Sequence, residues 1–449
     1  MNLKSQCERK DGYYELSEGV ELPIRLFLNE PLFREAEETV FTQAKAATEF
    51  PGVRDVVITP DTHSGFVVPI GCVMATEGTL CQAPVGYDIG CGMAAFRSDA
   101  TVERDLTKGR LQEFSRRVME RVGMGAGHGS GYEVTPRRFQ EVIRQGARAL
   151  GESRDNVERD FLPVEDSWDP PKGSRCWRGQ TQLGSLGGGN HFLEVQHDQD
   201  GHLWCMVHTG SRGFGHGLAT WYIQKGKEFL QARGIDMRGG AEAVYFTQDN
   251  PLYTDYKNAV AAGANYAIAN RLLIWLAARE VFESVFCHEA ELVYEISHNL
   301  VQEEYVPSLG GTFMVHRKGA TRAFPAGHPM LKGTRWEATG HPVLIPGSMG
   351  DTSYVLFAEP GVEHSLYSVN HGCGRKMSRT QAKKSFTQQQ VNRRMAELGV
   401  LVNGGGDVPI DESPFVYKSS SEVIAAVVEA GLARVAYTLT PLASLKGVD

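Results

Sequence analysis

The spacing of apolar residues changes several times along the chain, and each change predicts a different kind of element. Apolar positions recur at helical spacing in residues 31–50 and in residues 255–286, the longest helical pattern of the chain. The many small residues of the second segment predict close packing against its neighbours. Residues 55–61 and 68–76 are instead short apolar runs, which predict strands.

Charged and turn-forming residues fill the rest of the pattern. Residues 101–155 are charged with helical periodicity, and positions 136–150 within them are amphipathic. Residues 166–182 are rich in Pro, Gly and polar side chains, which predicts a loop or a lid. Beyond the long helix, short strands alternate with Gly-rich turns. A basic helix is then predicted over 379–397, and a strand–helix–strand pattern ends the chain.

The composition is that of a folded protein, with 449 residues of which 41% are hydrophobic and 22% charged. No repeat, low-complexity tract or linker divides the chain. We therefore predict one α+β domain over residues 1–449, with mixed β-sheets, surrounding helices and a metal site at Gly-rich loops between strands. The net charge of -8 gives no overall attraction for nucleic acid, so a polyanion site must be a local basic patch.

Eight cysteines show neither a CxxC pair nor regular spacing. Together with an N-terminal sequence that has no signal-peptide pattern, this predicts reduced thiols in a cytoplasmic protein. No apolar run approaches the roughly 18 residues that a membrane span needs, so no membrane association is expected.

Residues that can bind metal recur beside glycine, serine or asparagine near apolar segments. They are Asp88, Cys91, His191, His208 and His298. The pattern in each case predicts an apolar strand followed by its ligand. One thiolate, one carboxylate and three imidazoles suit zinc, manganese or cobalt, and five ligands favour two ions or one ion with an open position. Each residue alone is more often a buried histidine, a turn aspartate or a core cysteine, but their repeated placement favours a metal site.

A second group of motifs is typical of phosphate binding. Gly-rich stretches at 184–190 and 345–353 offer runs of backbone N–H groups, although neither is a Walker loop and many such stretches are only tight turns. Nearby basic residues either bind a phosphate or form a solvated face; they are Arg212, Arg317, Lys318 and Arg322.

The stretch SVNHGCGRKMSR, residues 368–379, combines His371 with a Gly-Cys-Gly turn and with Arg375 and Arg379. Arginines hold phosphate bidentately, so the stretch suits a phosphate and raises the question of what a histidine would do beside it. Neutral imidazole is a competent phosphorus nucleophile. The RKDG stretch at residues 9–12 does not match the lysine nucleophile motif KxDG, because its lysine is one residue too close to the aspartate.

Several longer motifs resemble the RtcB RNA ligases, a family that joins RNA 3′-phosphate or 2′,3′-cyclic phosphate ends to 5′-hydroxyl ends. The resemblance runs from PDTHSG at residues 60–65 to LKG at residues 445–447. The motifs between these ends occur in the family's order and include PIGCVMAT, VGYDIGCG, LGGGNHFLEV, HTGSRGFGH, ISHN, VHRKGATRAFP, VLIPGSMG and HGCGRKMSR.

The resemblance implies a site with two Mn²⁺ ions. Cys91 would bridge the ions, Asp88 and His191 would complete one of them, and His208 and His298 would complete the other. When bound, such ions would offset the charge of two phosphates brought together.

The resemblance also implies GTP as cofactor and a covalent mechanism. His371 would attack the α-phosphate of GTP to form a GMP–histidine, GMP would pass to the RNA 3′-phosphate, and the 5′-hydroxyl would then attack. Lys446 would read guanine, Tyr417 would stack on it, and Arg212 and Arg379 would hold RNA or assist phosphate transfer. The residues that match the family's nucleotide contacts are Asn190, His191, Phe192, Leu193, Glu194, His298, Asn299, Pro346, Gly347, Ser348, Met349, Ser353, His371, Gly372, Cys373, Gly374, Tyr417 and Lys446.

Departures from the family pattern lie at Gly90, Asp351, Asn370 and Cys373, none of which is an implied metal ligand or the nucleophile. Asp351 and Cys373 are expected beside the nucleotide pocket, so they bear on nucleotide choice. Two alternatives stay open: a dimetal cyclic phosphodiesterase that acts on RNA ends without ligation, and a non-enzymatic protein that binds RNA ends. RNA is the expected partner of a monomer or weak dimer. The need for an archease-like activator stays open, as does the choice between tRNA splicing and RNA repair.

Overall fold

The computed structural model describes residues 2–151, 161–235, 243–406 and 408–447. The α-helices in these ranges are α1 Glu30–Glu35, α2 Glu38–Thr48, α3 Val102–Asp105, α4 Lys108–Arg121, α5 Pro136–Gln145, α6 Arg212–Ala232, α7 Tyr253–Phe286, α8 Arg379–Ser385, α9 Gln388–Leu398 and α10 Ser420–Glu429. The β-strands are β1 Glu8–Arg9, β2 Tyr14–Leu16, β3 Ile24–Leu26, β4 Val53–His63, β5 Ile70–Thr76, β6 Thr79–Cys81, β7 Gly92–Thr101, β8 Phe192–His197, β9 His202–Thr209, β10 Tyr245–Thr247, β11 Ala290–Ser297, β12 Asn299–Val306, β13 Gly311–Lys318, β14 Ala320–Arg322, β15 Pro342–Ile345, β16 Ser353–Ala358, β17 Ser368–Asn370, β18 Leu401–Val402 and β19 Ala433–Leu445.

Most of these strands belong to two large sheets. The first sheet has the order β1-β2-β3-β4-β5-β13-β12 and is antiparallel except where β3 pairs with β4. The second has the order β11-β7-β9-β8-β19-β16-β15 and is antiparallel, with β18 parallel beside β19. Two small ribbons pair β10 with β6 and β14 with β17. The predicted α+β class, with mixed sheets and surrounding helices, is confirmed.

The long helix predicted over residues 255–286 is confirmed as α7. It packs against α4, α5 and α6 and against the second sheet, and most of its side chains are buried. Its small residues allow the predicted close packing, since a Cβ on Gly263 would lie 2.9 Å from the side chain of Ile89. Within the ranges described, no helix is both long enough and apolar enough to span a bilayer.

The helix predicted over residues 31–50 is two helices, so that prediction is wrong at residues 36 and 37. The chain is extended at Ala36, between α1 and α2. Contacts with the N-terminal segment explain the break, because the Lys4 ammonium donates to the carbonyl oxygens of Arg34 and Ala36, each at 2.8 Å. These carbonyls have a partner outside the helix, so the apolar spacing alone could not reveal the interruption.

The basic helix predicted over residues 379–397 is also divided, into α8 and α9. The chain is extended at Phe386, and Thr387 begins α9 with a capping box that it forms with Gln390. Phe386 turns inward at this point and stacks on Phe415, with ring centroids 4.8 Å apart. The break between α8 and α9 thus coincides with an aromatic contact and a capping motif.

The other predicted elements are confirmed with adjusted limits. The two short apolar runs are β4 and β5, and the last pattern consists of β18, α10 and β19. The charged region contains α3, α4 and α5, and its part beyond residue 151 lies outside the described residues. The loop at 166–182 is confirmed and ends in the 3₁₀ turn Cys176–Gln182. It is anchored to α7, because Trp168 Nε1 donates to Asp255 at 2.7 Å.

Candidate active site

The candidate metal ligands come from four neighbouring strands of the second sheet. Asp88 and Cys91 lie in the turn that leads into β7, and His191 directly precedes β8. His208 lies near the end of β9, and His298 directly follows β11. Because β11, β7, β9 and β8 are antiparallel neighbours, the starts of β7 and β8 meet the ends of β9 and β11 at one edge of the sheet.

The predicted order of an apolar strand followed by its ligand is therefore wrong for Cys91 and His191, which directly precede their strands. The prediction of loop positions is also wrong for His208, which lies inside β9. Antiparallel pairing is the physical reason, because it sets the beginning of one strand beside the end of the next. The backbone N–H of His298, for example, donates to the carbonyl oxygen of Cys91 at 2.7 Å.

The donor atoms of these five residues converge in one buried place. Cys91 Sγ lies 3.5 Å from His191 Nε2 and 3.3 Å from His208 Nε2. His191 Nε2 lies 3.1 Å from Asp88 Oδ2, and His208 Nε2 lies 3.2 Å from His298 Nε2. The structure thus brings together every residue that the sequence singled out as a metal ligand.

The hydrogen bonds of the imidazoles fit metal ligation. His191 Nδ1 lies 3.0 Å from the carbonyl oxygen of Leu186, and His208 Nδ1 lies 3.2 Å from that of Asn190. Each Nδ1 therefore carries the proton, and each Nε2 presents a lone pair toward the thiol of Cys91. The imidazole lone pairs and the Asp88 carboxylate thus face one another with few protons between them. A borderline divalent cation bound among them would be a partner for all of these donor atoms.

Burial sets the protonation of these groups. It lowers the pKa of His208 and of His298 well below 6.5, so both imidazoles are neutral at pH 7. Burial, reinforced by the neighbouring Asp88 carboxylate, raises the pKa of the Cys91 thiol well above 9. A thiol in this place becomes a thiolate only when a cation binds to it.

Arg271 of α7 supports the loops that carry the ligands. It is fully buried and forms an ion pair with Glu295, which is also fully buried. Its guanidinium donates to the carbonyl oxygens of Gly90 and Thr209 and to the hydroxyl of Ser297. Each of these three acceptors is adjacent in sequence to a candidate metal ligand, so one side chain holds three ligand-bearing segments together.

His371 lines a cavity of about 230 Å³ whose wall also contains four of the candidate metal ligands. Its ring centroid lies 4.8 Å from that of His298. Its Nδ1 lies 2.6 Å from Asp61 Oδ2, and the same carboxylate oxygen accepts the backbone N–H groups of His371 and Gly372, each at 3.2 Å. With Nδ1 held against the carboxylate, Nε2 is the ring nitrogen available to a ligand in the cavity.

Asp61 is a site residue to which the sequence analysis gave no role. It lies fully buried in β4, and Thr59 Oγ1 donates to its Oδ1 at 2.7 Å. Burial raises the pKa of Asp61, but the proximity of His371 and the hydrogen bonds outweigh burial, and the net pKa is lowered. The side chain is therefore an ionised carboxylate. Its place in the PDTHSG motif was the one signal that could have identified it.

Gly374 makes the approach of His371 to Asp61 possible. Its φ is +74°, and a Cβ there would lie 1.9 Å from the carbonyl oxygen of Asp61. Gly372 is less constrained, because the nearest atoms to a Cβ would be 3.7 Å away. The requirement for glycine in this turn thus falls on Gly374, where the chain passes directly over β4.

Glu412 gathers four polar side chains at another part of the cavity wall, and the sequence analysis missed it. Its carboxylate is almost fully buried and lies 3.2 Å from Arg375, 3.3 Å from Arg379 and 3.8 Å from Lys446. It also accepts a hydrogen bond from the hydroxyl of Tyr417. The surrounding sequence PIDESPF contains no recognisable motif, so no signal in the sequence could have identified Glu412.

Glu194 lies in β8 and lines the same cavity. Burial raises the pKa of this carboxyl group to about 7. Its Oε2 accepts a hydrogen bond from Gln196 at 2.7 Å, and Gln196 also donates to Ser353 Oγ at 2.9 Å. Ser353 is fully buried, so it supports Glu194 through Gln196 from behind the cavity wall.

Most of the expected nucleotide contacts line the cavity. These are Asn190, Phe192, Glu194, His298, Asn299, Pro346, Gly347, Ser348, Met349, His371, Gly372, Cys373, Gly374, Tyr417 and Lys446. Leu193 packs instead in a hydrophobic cluster of the interior. Arg379 lines the cavity, whereas Arg212 donates to Ser185 Oγ at 3.2 Å and to the carbonyl oxygen of Gly125 at 3.3 Å.

Two of the four departures from the family pattern have structural roles outside the cavity wall. A Cβ on Gly90 would lie 2.8 Å from the Cα of Ala264, so glycine allows this loop to pack closely on α7. Asp351 was expected beside the nucleotide pocket. Its carboxylate accepts the backbone N–H of Ser420 at 2.8 Å and thereby stabilises the start of α10.

The other two departures flank His371. Asn370 is fully buried, and its amide donates to the carbonyl oxygen of Gly372 at 2.7 Å, which closes the turn. Cys373 lines the cavity, and its Sγ donates to the carbonyl oxygen of Pro346 at 3.4 Å. Burial raises the pKa of this thiol well above 9, so Cys373 offers a neutral surface to a ligand.

The chain is similar over most of its length to known proteins. The family model of tRNA-splicing ligase RtcB matches residues 43–447. The tRNA-splicing ligase RtcB of Thermococcus kodakarensis is 33% identical over 95% of each chain, and that of Nanoarchaeum equitans is 32% identical over 95% of each. The RNA-splicing ligase RtcB of Mycobacterium tuberculosis is 36% identical over 88% of this chain and 98% of its own. The protein is thus an enzyme of the ligase class. It belongs to the RtcB family.

Proposed function

We propose that the protein is a GTP- and Mn²⁺-dependent RNA ligase that joins RNA 3′-phosphate or 2′,3′-cyclic phosphate ends to 5′-hydroxyl ends. The relatives named above are tRNA- or RNA-splicing ligases, which supports RNA as the substrate. The reaction passes through a covalent GMP–histidine at His371 and an RNA end activated with GMP.

The observation that carries the proposal is the contact between His371 and Asp61. The carboxylate holds Nδ1 and leaves Nε2 free as a nucleophile, and it stabilises the cationic ring that forms when Nε2 bonds to phosphorus. In the first step, His371 Nε2 attacks the α-phosphorus of GTP. A nitrogen–phosphorus bond forms, and the bond to pyrophosphate breaks.

The metal ions would be held by Asp88, Cys91, His191, His208 and His298, whose donor set fits a borderline divalent cation. When bound, the ions would offset the negative charge of the phosphates. The choice of manganese over zinc rests on the family resemblance, because these ligands suit both metals.

The proposed guanine site lies at the part of the cavity wall formed by Lys446, Glu194 and Tyr417. Guanine carries the acceptor O6 and the donors N1–H and N2–H₂, so it suits an ammonium group and a carboxylate on one cavity wall. Adenine has neither an oxygen acceptor nor an N1–H donor. Tyr417 supplies a ring on which a base stacks.

The later steps use the same histidine as a leaving group. An oxygen of the RNA 3′-phosphate attacks the phosphorus of the GMP–histidine, the nitrogen–phosphorus bond breaks, and His371 leaves as neutral imidazole. The 5′-hydroxyl oxygen of the partner strand then attacks the 3′-phosphorus, and GMP departs with the bridging oxygen. Arg379, which lines the cavity, would hold the RNA phosphate, because a guanidinium group binds phosphate bidentately. A 2′,3′-cyclic end must first be opened by water.

The experiment that tests the proposal is covalent labelling with GTP labelled at the α-phosphate, in the presence of Mn²⁺ and without RNA. The wild type should acquire a label that is labile in acid and stable in alkali. His371→Ala should acquire none. His364→Ala removes an exposed histidine in the 3₁₀ turn Pro360–Ser365 and should be labelled like the wild type. A labelled His371→Ala, or an unlabelled wild type with its metal bound, would contradict the proposal.

The alternative, a cyclic phosphodiesterase, would need the metal ligands but neither His371 nor a guanine site. Opening of a 2′,3′-cyclic phosphate RNA by a protein that GTP does not label would favour it. An imidazole oriented by a buried carboxylate also serves as a general acid or base in phosphodiester hydrolysis, so GMP labelling of His371 is the result that separates the two functions.

A further inference from the structure

A second groove lies beside the cavity and has no role in the nucleotide chemistry. It has a volume of about 530 Å³ and is formed by α9, the segment before it and the chain around Pro414. We call it the α9 groove; the residues that matter for its chemistry are Lys376, Phe386, Gln390, Arg393, Arg394 and Phe415.

The α9 groove belongs to the most basic segment of an acidic protein. Residues 375–394 contain seven lysines and arginines and no aspartate or glutamate, whereas the chain has a net charge of -8. Arg394 is partly neutralised by Glu397, 3.7 Å away. Across the described ranges, neither Lys376 nor Arg393 has an acidic side chain within 4.0 Å, and both are exposed. Their charge is therefore available to an anion in the groove.

The groove also contains a stacked pair of aromatic rings. Phe386 and Phe415 have ring centroids 4.8 Å apart and nearly parallel planes, and both side chains are only partly buried. Aromatic rings next to arginines are the combination that binds unpaired nucleotides, because every base has a face that can stack and every linkage carries a negative charge.

Both walls of the groove continue directly from the cavity. On one wall Arg375 lines the cavity and the next residue, Lys376, lines the groove. On the other wall Tyr417 lines the cavity and Phe415, two residues earlier, lines the groove. The two walls are joined where the backbone N–H of Lys376 donates to the carbonyl oxygen of Val416 at 2.9 Å. A strand whose end reacts in the cavity can thus extend into the groove without leaving the protein surface.

We propose that the α9 groove binds the single-stranded nucleotides that adjoin the reacting RNA end, with phosphates on Lys376 and Arg393 and a base on the Phe386–Phe415 pair. This rests on the proposed function, which supplies RNA as the substrate. An acidic peptide would satisfy the charges, but it would have no use for the stacked rings or for the continuity with the cavity. Paired RNA does not expose a base face for stacking.

The test measures RNA binding by fluorescence anisotropy with metal-loaded protein and without GTP. One probe series carries the 3′-phosphate end and the other the 5′-hydroxyl end, each at two and at ten nucleotides. The longer strand of at least one series should bind the wild type more tightly than the shorter one. Arg393→Gln should remove most of this gain and reduce the slope of log affinity against log salt by about 0.7, the value for one phosphate contact on a single strand.

Phe415→Ala should weaken binding of the longer strand roughly tenfold without changing the salt slope, because it removes stacking and no charge. The matched control is Arg434→Gln, an exposed arginine at the start of β19, roughly 40 Å along that strand from Lys446. It should bind both lengths like the wild type. Arg393 is exposed, so its variant tests the groove even where Phe415→Ala is unstable.

The proposal is overturned if strand length does not affect wild-type binding in either series, or if Arg393→Gln keeps the full gain. It is also overturned if an oligo-aspartate peptide of equal charge competes as well as the ten-nucleotide strand. These outcomes are separable from failure of the ligase proposal. GMP labelling of the wild type tests the ligase, whereas the length dependence is measured without GTP.

Discussion

Asp61 Oδ2 and His371 Nδ1 lie 2.6 Å apart, although 310 residues separate them along the chain. Asp61 belongs to β4 of the first sheet, and His371 follows β17, which packs directly against β4. The orientation of the proposed nucleophile therefore depends on the first sheet, whereas the candidate metal ligands belong to the second. The two halves of the site can be disturbed separately, and this makes them testable separately.

Replacing Asp61 should separate nucleophile orientation from metal binding. Asp61→Asn keeps the size of the side chain but cannot stabilise a cationic imidazole, so the rate of GMP labelling should fall roughly 10²- to 10⁴-fold. Bound metal should stay at the wild-type level, because Asp61 contacts none of the candidate ligands. Single-turnover labelling and elemental analysis of the same preparation measure both effects.

Thr59→Val is the graded control for this prediction. It removes the 2.7 Å hydrogen bond to Asp61 and a longer one, of 3.2 Å, to the carbonyl oxygen of Gly71, while the carboxylate itself stays in place. Labelling should therefore slow by about tenfold at most. Labelling of Asp61→Asn at the wild-type rate would show that the carboxylate is not needed. Loss of its metal would show that the substitution disturbs the whole site.

Arg271 should contribute both to the free energy of unfolding and to the positions of the candidate metal ligands. Arg271→Met removes the cationic partner of the fully buried Glu295 carboxylate, which should reduce the free energy of unfolding by about 3–5 kcal/mol. Bound metal should also decrease, because Gly90, Thr209 and Ser297 lose the donor that links them. Equilibrium denaturation and elemental analysis check the two effects.

The double variant Arg271→Met/Glu295→Leu distinguishes these effects. Because both members of the buried ion pair are replaced by apolar side chains, it should recover most of the free energy of unfolding. It should still bind less metal, because the hydrogen bonds to the three loops remain absent. Recovery of both quantities would mean that the loops keep their positions without Arg271.

The sequence predicted the members of the candidate metal site more completely than their arrangement. Cys91, His208 and His298 could be identified because thiol and imidazole beside turn-forming residues are typical of metal ligands. Their convergence depends on the strand order β11-β7-β9-β8, which differs from the order of these strands along the chain. Local patterns do not contain that pairing, so the sequence alone could not show that these residues meet at one edge of the sheet.

Residues whose role arises only from tertiary contacts could not be predicted. Glu412 acts through side chains from separate segments, including Arg375 and Lys446, and its own surroundings have no motif. The breaks after α1 and α8 have a similar origin. Lys4 supplies one interruption and the Phe386–Phe415 contact accompanies the other, while the apolar spacing continues across both.

Cys91 should be the ligand on which the whole metal site depends. Its sulfur lies within 3.5 Å of nitrogen atoms of both His191 and His208, so its removal affects every donor nearby. Cys91→Ala should therefore retain less than half of the wild-type Mn²⁺ after dialysis, and GMP labelling should fall with it. Cys176→Ala removes a buried thiol that contacts Ser174 and should retain all of its metal. Full metal content in Cys91→Ala would contradict a shared thiolate.

Glu194 should make GTP binding depend on pH in a defined direction. Burial raises its pKa to about 7, so the carboxyl group of the free protein is increasingly protonated below pH 7. The proposed guanine N–H donors need the ionised form. The affinity for GTP should therefore fall by about tenfold for each pH unit below 7 and level off above it. Binding is measured in the His371→Ala background, where no covalent adduct is expected.

Glu194→Gln in that background is the control for titration of the GTP phosphates, because both proteins experience that titration equally. It should bind GTP more weakly than its parent at pH 8, and the difference should shrink as the pH falls and Glu194 becomes neutral. An equal difference at pH 5.5 and pH 8 would mean that the carboxylate does not face the base. In that case Lys446, which lies beside Glu412 on the cavity wall, would have to recognise guanine without an acidic partner from β8.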